Sequence, residues 1–251
     1  MLMKTLSKEE RGMSRRTFLT LSAGAIFASM MRHNAFASSH RQSGPEFIET
    51  TYQKDGEIKG RALIAYASRC GSTGGVADAI GQVLHGTGAS IDVRLVRNVD
   101  DLSPYQTVIV GSAVRMGRWL PEAMDFMKKH RDALRQLHTA YFAVCITMKD
   151  DTAENRHKAL AYLDPVRKEA PDIQPADIGL FPGAVDFGKL SPVYKSILKA
   201  KGVPEGDFRN WTAVRTWAAG ISPALLGGAA SRVSGYAAAS PFQSGLSQTV
   251  S

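Results

Sequence analysis

Cysteine is nearly absent from this chain: two residues in 251, Cys70 and Cys145. That excludes a disulfide-stapled scaffold and any multi-cysteine metal or iron–sulfur centre. His85, His130, His138 and His157 show no ligand spacing and read as lone helix-surface histidines, so no metal site is expected. Several motifs are also missing. There is no Gly-x-x-x-x-Gly-Lys-Ser/Thr loop and no Gly-x-Gly-x-x-Gly with an acidic partner, which argues against ATP or GTP hydrolysis and against Rossmann-type NAD binding. No Gly-x-Ser-x-Gly elbow or His-Glu-x-x-His pair supports a hydrolase. The longest apolar run, Phe18 to Met31, is too short to span a bilayer comfortably.

Acidic charge is scarce as well: 31 Lys and Arg face 23 Asp and Glu, a formal +8. Half of that excess lies in the first 37 residues, where six basic residues meet Glu9 and Glu10. The remaining +4 or so, without a dense Lys/Arg stripe, gives no case for nucleic acid. It suits an anionic small molecule or an anionic membrane surface. Hydrophobic content of 44% excludes wholesale disorder.

What is present begins with an address. Ser14, Arg15, Arg16, Thr17, Phe18 and Leu19 precede the apolar run, and Ala35-Phe36-Ala37 offers a small-x-small cleavage site. The paired arginines before Phe-Leu resemble the twin-arginine signal that carries folded proteins to the periplasm through the twin-arginine translocase. An ordinary secretory signal with two chance arginines is the alternative. Folded export suits a protein that acquires a non-covalent cofactor first. An uncleaved signal would leave a membrane tether.

The organisation expected is a signal peptide over residues 1–37, a polar linker over 38–60, one domain over 61–221, and a flexible Ala/Gly/Ser-rich tail over 222–251. Within the domain, Arg61 to Ser68 reads as a buried strand, and Thr73 to about His85 as a helix carrying Val76, Ile80, Val83 and Leu84. Further strands are expected around Ile91 to Leu95, Thr107 to Ser112 and Ala140 to Ile146, with a weaker fifth from Ile178 to Phe187, broken by Pro182. Helices intervene at Pro121, from about Glu154 (interrupted by Pro165), at Ser191–Lys201 and at Trp211–Ile221. Alternating strands and helices imply right-handed crossovers and a parallel sheet covered on both faces. Ligands then bind beyond the strands' carboxyl ends, which directs attention to the loops after Ser68, Ser112 and Ile146.

The first of these loops, Ser68-Arg69-Cys70-Gly71-Ser72-Thr73-Gly74-Gly75, feeds a helix N-terminus. Its amides and hydroxyls favour a phosphate; a plain capping turn is the bland alternative. Ser68-x-x-Gly71-Ser72-Thr73 after an apolar strand resembles the FMN-phosphate loop of the flavodoxin family. Val108-Ile-Val-Gly111-Ser112-Ala113-Val114-Arg115-Met116-Gly117 is similar to the flavin-ring loop of one branch, the menaquinone-dependent protoporphyrinogen oxidases. The charged stretch from Lys149 to Arg167 and the run from Pro182 to Phe187 resemble that branch too. The likeness spans roughly Arg61 to Ile221.

That resemblance implies a flavodoxin-like, doubly wound α/β sandwich with a five-stranded parallel sheet and FMN as cofactor. It implies that Ser68, Arg69, Cys70, Gly71, Ser72 and Thr73 hold the phosphate. Ser112, Ala113, Val114, Arg115, Met116 and Gly117 would line one side of the ring, and Thr147 and Met148 the other. The chemistry is borne by the flavin, so no catalytic side chain is nominated. Arg115 and Arg118, with Lys149, are candidate anchors for substrate carboxylates; solvated loop arginines are the plainer reading. The helix from Val193 to Lys201 mixes apolar and basic residues, as an amphipathic helix packed on the sheet does and as a peripheral membrane contact would. Cys70, at a helix N-terminus where a thiol pKa can fall, reads as a passive loop residue, and Cys145 as core. The function expected is an exported FMN-dependent oxidoreductase passing electrons from a reduced substrate to a quinone. The alternative is a periplasmic electron carrier serving a redox protein partner. The mildly basic balance favours the enzyme, because the family's shuttles are strongly acidic.

Overall fold

Six consecutive residues, Ala62 to Ala67, with no room for water on either side define the centre of the sheet. Strand β2 (Arg61–Ala67) is buried at every position after Arg61, which is what a parallel strand covered on both faces requires. The structure is a computed structural model and describes residues 47–53 and 60–226. These belong to the second of two units, Pro45–Ser251. The signal-peptide reading of residues 1–37 lies outside the described residues.

In chain order the further elements are β1 (Thr50–Tyr52), α1 (Ser72–Gly86), β3 (Ser90–Leu95), β4 (Thr107–Arg115), β5 (Arg118–Trp119), α2 (Pro121–Lys129) and α3 (Arg131–Leu134). There follow β6 (His138–Val144), α4 (Ala153–Ala161), α5 (Asp164–Glu169), β7 (Ile178–Phe181), β8 (Ala184–Val185), α6 (Pro192–Ala200), β9 (Gly206–Asp207) and α7 (Trp211–Leu226). The main sheet runs β1-β3-β2-β4-β6-β7, with β5 paired to β4. The four pairings that join its five inner strands, from β3 to β7, are parallel. Counting those strands alone, the order is 2-1-3-4-5, the flavodoxin-like arrangement whose direction reverses between the first and third. The expected five-stranded parallel sheet is present, with an antiparallel strand added at one edge.

Period-two alternation sorts the strand side chains into two cores. Ala62, Ile64 and Tyr66 join Val76, Ile80 and Leu84 of α1 and Val214, Ala218 and Ile221 of α7 on one face. Leu63, Ala65 and Ala67 meet Ala123, Phe126 and Met127 of α2 and Val166 of α5 on the other. Each fully buried aliphatic side chain contributes about 1.5–3 kcal/mol. Between the layers Gly111 has a single tolerable identity. A Cβ there would stand 1.9 Å from the Phe142 ring of the neighbouring strand.

Four features differ from the sequence-based expectation. Residues 38–60 contain a strand: β1 pairs with β3 although only three residues long. Its hold is tertiary, since Glu49 accepts from the Leu95 amide at 3.0 Å and Asn98 at 2.8 Å. Strand β4 runs three residues past Ser112 and turns back through Met116 (φ 53°) and Gly117 (φ 76°). Two positive φ values in a two-residue loop match the strand twist, at a cost of about 1 kcal/mol for the non-glycine residue. The weak fifth strand splits at Pro182: β7 joins the sheet, whereas β8 pairs with β9 in a separate ribbon. Helix α7 continues to Leu226, with Ser222 and Leu225 buried, so the tail cannot begin at residue 222. His130 also departs from the surface reading. It is buried against Phe126 at 4.7 Å between ring centres, and burial pulls its imidazole below the ordinary value.

Asp92 ties the edge together. Its buried carboxylate accepts from Thr51 at 2.6 Å, Arg61 at 2.9 Å, Tyr105 at 3.0 Å and Arg94 at 3.1 Å. Burial alone would raise this carboxyl, but the hydrogen bonds from Thr51, Tyr105 and Arg61 with the Arg61 charge bring it below the usual carboxylate value. A depressed folded pKa contributes stability that is complete above the unfolded value of about 3.9 and is lost as pH falls through the folded one. Asp92→Asn is expected to lose about 2 kcal/mol at pH 7 in urea unfolding. Its stability should then fall less steeply than the native protein's below about pH 4. Parallel acid profiles for the two proteins would contradict this account.

Candidate functional site

The loop leaving β2 is shaped by one glycine. Gly71 sits at φ 88° at the N-cap of α1 and receives no side-chain cap. Its amide donates to the Ser68 hydroxyl at 3.0 Å, which folds the loop back on itself. The first turn of α1 holds no acidic residue, so the amides at this helix start have no negative partner from the helix itself. Thr73 is fully buried and its hydroxyl has no hydrogen-bond partner. Burying a hydroxyl unpaired costs about 1–3 kcal/mol. A group that accepts from it would recover that cost.

Two contacts set the loop's surroundings. Arg69 forms an ion pair with Glu122 at the start of α2, at 2.7 Å, which leaves the loop without a free cation. The Cys70 thiol contacts the Lys189 carbonyl at 3.5 Å. From the other side, Ser112 is wholly buried; its hydroxyl donates to the Ala113 carbonyl at 2.8 Å and accepts from the Leu120 amide at 3.0 Å. That clasp fixes the β4–β5 hairpin and points Arg115 toward α6, where its guanidinium lies 4.2 Å from the Tyr194 ring centre. A cation over an aromatic face contributes about 0.5–2 kcal/mol.

These segments enclose a cavity of about 280 Å³ at the carboxyl ends of β2, β4 and β6. Ser68, Arg69, Cys70, Ser72, Ala113, Val114 and Arg115 line it, seven of the residues expected from sequence. Gly71 and Thr73 lie in the same loop without lining it. Ser112 serves as the clasp, and Met116 and Gly117 form an exposed hairpin tip. Thr147 and Met148 are not on the wall: Thr147 shares a hydrogen bond with the Tyr162 hydroxyl at 3.1 Å, and Met148 packs against Ala159. Cys145 and Ile146 stand there instead. Arg118 faces Arg115 across the hairpin, exposed and outside the cavity. Lys149 lies 5.5 Å from the Phe208 ring centre, also outside it.

The segment sequence reasoning did not nominate covers the other side. Gly183, Asp186, Lys189, Leu190, Tyr194 and Leu198 all reach the cavity. Gly183 comes so near that a Cβ would meet Val144 at 3.0 Å and the Ser72 hydroxyl at 3.7 Å. The available signal was Pro182-Gly183 itself, a break that brings backbone where a side chain would not fit.

The crossing point of an open α/β sheet, a glycine-turned loop at a helix start and a slot beside the next strand together define a flavodoxin-type domain. Residues 63–204, more than half of the chain, match the "Flavodoxin domain" family, and the chain belongs to that family. Flavin binding is the property of that family. Protoporphyrinogen IX dehydrogenase [quinone] of Escherichia coli K12 is 27% identical over 86 residues, 34% of this chain and 48% of that protein. The chain thus spans about half the length of that relative. The protein of the same name from Leishmania major is 23% identical over 173 residues, 63% of this chain and 73% of its own. Among solved structures, a flavodoxin from the domain Archaea (16% identity, TM-score 0.41) is covered over 98% of its length and 66% of this chain. Flavodoxin 2 of Bacillus cereus (21%, TM-score 0.39) is covered over 97% and 65%.

Burial pushes the Cys70 thiol up, against the pull of Arg115, Lys189 and Arg69, and burial raises Cys145 as well. The helix start therefore does not activate Cys70. Iodoacetamide at pH 7.5 should alkylate Cys70 about fivefold or more slowly than an unstructured peptide thiol, with a rate midpoint above about pH 8.5. Cys145 should react only on unfolding. A midpoint below that of the peptide would show an activated thiol.

Proposed function

We propose that this chain is an exported FMN-dependent oxidoreductase that passes electrons from a reduced anionic substrate to a quinone. The observation that carries the reading is the hydroxyl and amide cradle of Ser68–Thr73 opening onto the slot between Ala113–Val114 and Cys145–Ile146, at the sheet's crossing point. The residues present fit FMN. The phosphate would accept from Ser72, from the unpartnered Thr73 hydroxyl and from the first amides of α1, a neutral cradle assisted by the helix dipole. Ala113, Val114, Leu120, Val144 and Leu198 would sandwich and shield an apolar ring. Bound FMN supplies the redox chemistry; the chain binds, orients and excludes water.

The remaining charges bear on the reactants. Arg118 makes no ion pair among the described residues and sits beside the cavity mouth, a place for a substrate carboxylate. Met116, Val193 and Ile197 are the large apolar side chains left exposed among the described residues. Val193 and Ile197 share α6 with Lys195 and Lys199, whose ammonium groups lie over the Phe187 ring at 5.7 and 5.4 Å. That mixture supports a peripheral contact with an anionic membrane, where quinones reside. The similarity to proteins named protoporphyrinogen IX dehydrogenase [quinone] supports a porphyrinogen-like substrate.

Purified chain should be yellow, with about one non-covalent FMN per protein. After anaerobic reduction it should be reoxidised by menadione and should turn over protoporphyrinogen. Absence of flavin would remove the reading, and flavin without turnover of either compound would make the chain an electron carrier. Thr73→Val is expected to weaken FMN about tenfold and riboflavin by less than about twofold, because only FMN brings the phosphate acceptor. The flavin-free variant should be no less stable than the native protein, since the hydroxyl removed has no partner. Equal losses for FMN and riboflavin would place Thr73 away from a phosphate. For export, Arg15→Lys with Arg16→Lys should leave the protein in the cytoplasmic fraction, whereas an unchanged periplasmic yield would assign an ordinary secretory signal.

A further inference from the structure

A second opening lies along the same edge of the sheet, beyond β6. It measures about 540 Å³ and is bounded by Met148, Lys149 and Arg156 on one side and by Phe181, Phe208 and Trp217 on the other. This size falls within the usual range of organic-ligand sites, about 300–1,000 Å³. Pro182 lines this cleft and the next residue, Gly183, lines the first cavity, so one turn of backbone separates the two.

The floor is aromatic by construction. Phe181 and Trp217 meet edge to face, 5.5 Å between centres and 76° between planes. Gly179 makes that meeting feasible: a Cβ there would stand 2.7 Å from Phe181 and 2.9 Å from Trp217. The Trp217 indole N–H is buried without an acceptor, an arrangement costing about 1–3 kcal/mol unless something supplies one. Above the floor the charges are unequal. Arg156 is paired with Asp151 at 2.5 Å, whereas Lys149 has no ion pair among the described residues and holds its ammonium 5.5 Å from the Phe208 ring centre. Helix α7 also starts here, with the Asn210 side chain accepting from the Ala213 amide at 3.0 Å and Thr212 and Thr216 on the cleft wall. A helix start and one unpaired cation favour a single negative group. Asp151, already neutralised by Arg156, disfavours a second.

We propose that this cleft is a second ligand site, separate from the flavin-type cavity, that takes a planar aromatic molecule carrying one acidic group. The rings stack or abut on Phe181, Phe208 and Trp217, an acceptor on the ligand satisfies the Trp217 N–H, and the acidic group faces Lys149. The site is complete without flavin, so it stands independently of the proposed oxidoreductase function. A molecule held here sits across the Phe181–Gly183 backbone from the first cavity.

Anthraquinone-2-sulfonate is a suitable probe, titrated into the full chain by calorimetry with tryptophan emission followed in parallel. Saturable one-to-one binding with quenching is expected, weakened about tenfold for unsubstituted anthraquinone, which lacks the charge. Lys149→Met and Phe208→Ala should each weaken binding about tenfold, and Trp217→Phe should abolish most of the quenching. Lys149 is exposed, so its replacement leaves the fold intact, and Lys128→Met on α2 serves as the surface-charge control with unchanged affinity. Saturating FMN should leave the probe's affinity within twofold. Failure to saturate, indifference to Lys149→Met, or full displacement by FMN would each overturn the proposal. If the chain binds the probe but no FMN, the second site stands and the flavin reading alone falls.

Discussion

The Phe142 ring occupies the space where a side chain at position 111 would have to be, and much of the site follows from that fit. With no side chain at Gly111, the Phe142 ring of β6 covers that position of β4 and joins the core that includes Phe181. The pairing of Gly111 with Phe142 places Ser112 next to Ala143, at the last buried level of the sheet. From there the Ser112 hydroxyl can reach both Ala113 and Leu120, which closes the hairpin and delivers Arg115 to Tyr194. A packing constraint in the core thus becomes, four residues later, the placement of a cation at the cavity. Close-packed interiors transmit position in this way because no neighbour has free volume to absorb an error.

Polar groups in the structure divide along the same line. Asp92 is buried with four donors around it and stabilises the edge away from the site. Thr73 and Trp217, buried at the carboxyl edge, have no partner at all. Polar atoms of Trp119, Glu122, His130 and Tyr141 are also buried without a partner among the described residues. Of the six, Thr73 lies in the loop beside the first cavity and Trp217 on the wall of the second, the places where a ligand would supply the missing hydrogen bond.

The strands buried on both faces were legible because an unbroken apolar run bounded by glycine has few other uses. The helix start at Pro121 was legible from the proline at its first position, and Ser191, expected at the head of a later helix, caps it. Strand β1 was not. Its three residues carry no alternation, and what holds them is Glu49 and Asp92, contacts across more than forty residues. The reading of Thr147 and Met148 as cavity wall fell two residues past Cys145 and Ile146, because a short 3₁₀ turn from Ile146 to Lys149 rotates the chain away from the slot. Periodicity cannot anticipate a turn whose geometry is set by Tyr162 and Ala159 packing beneath it.

By itself the amino-acid sequence determined the scarcity of cysteine, and with it the exclusion of disulfide scaffolds and cysteine-held clusters. It also determined the alternation of buried strands and amphipathic helices, and so the doubly wound class and the glycine-turned loop that leads into the first helix. These are local properties, carried by composition, spacing and turn residues within a dozen positions. The tertiary structure decided which side chains wall the cavity, the covering role of the segment from Gly183 to Leu198, the pairing that neutralises Arg69, and the aromatic cleft beside β7. Each depends on residues far apart in sequence meeting across the sheet's carboxyl edge, and that meeting is settled only by packing.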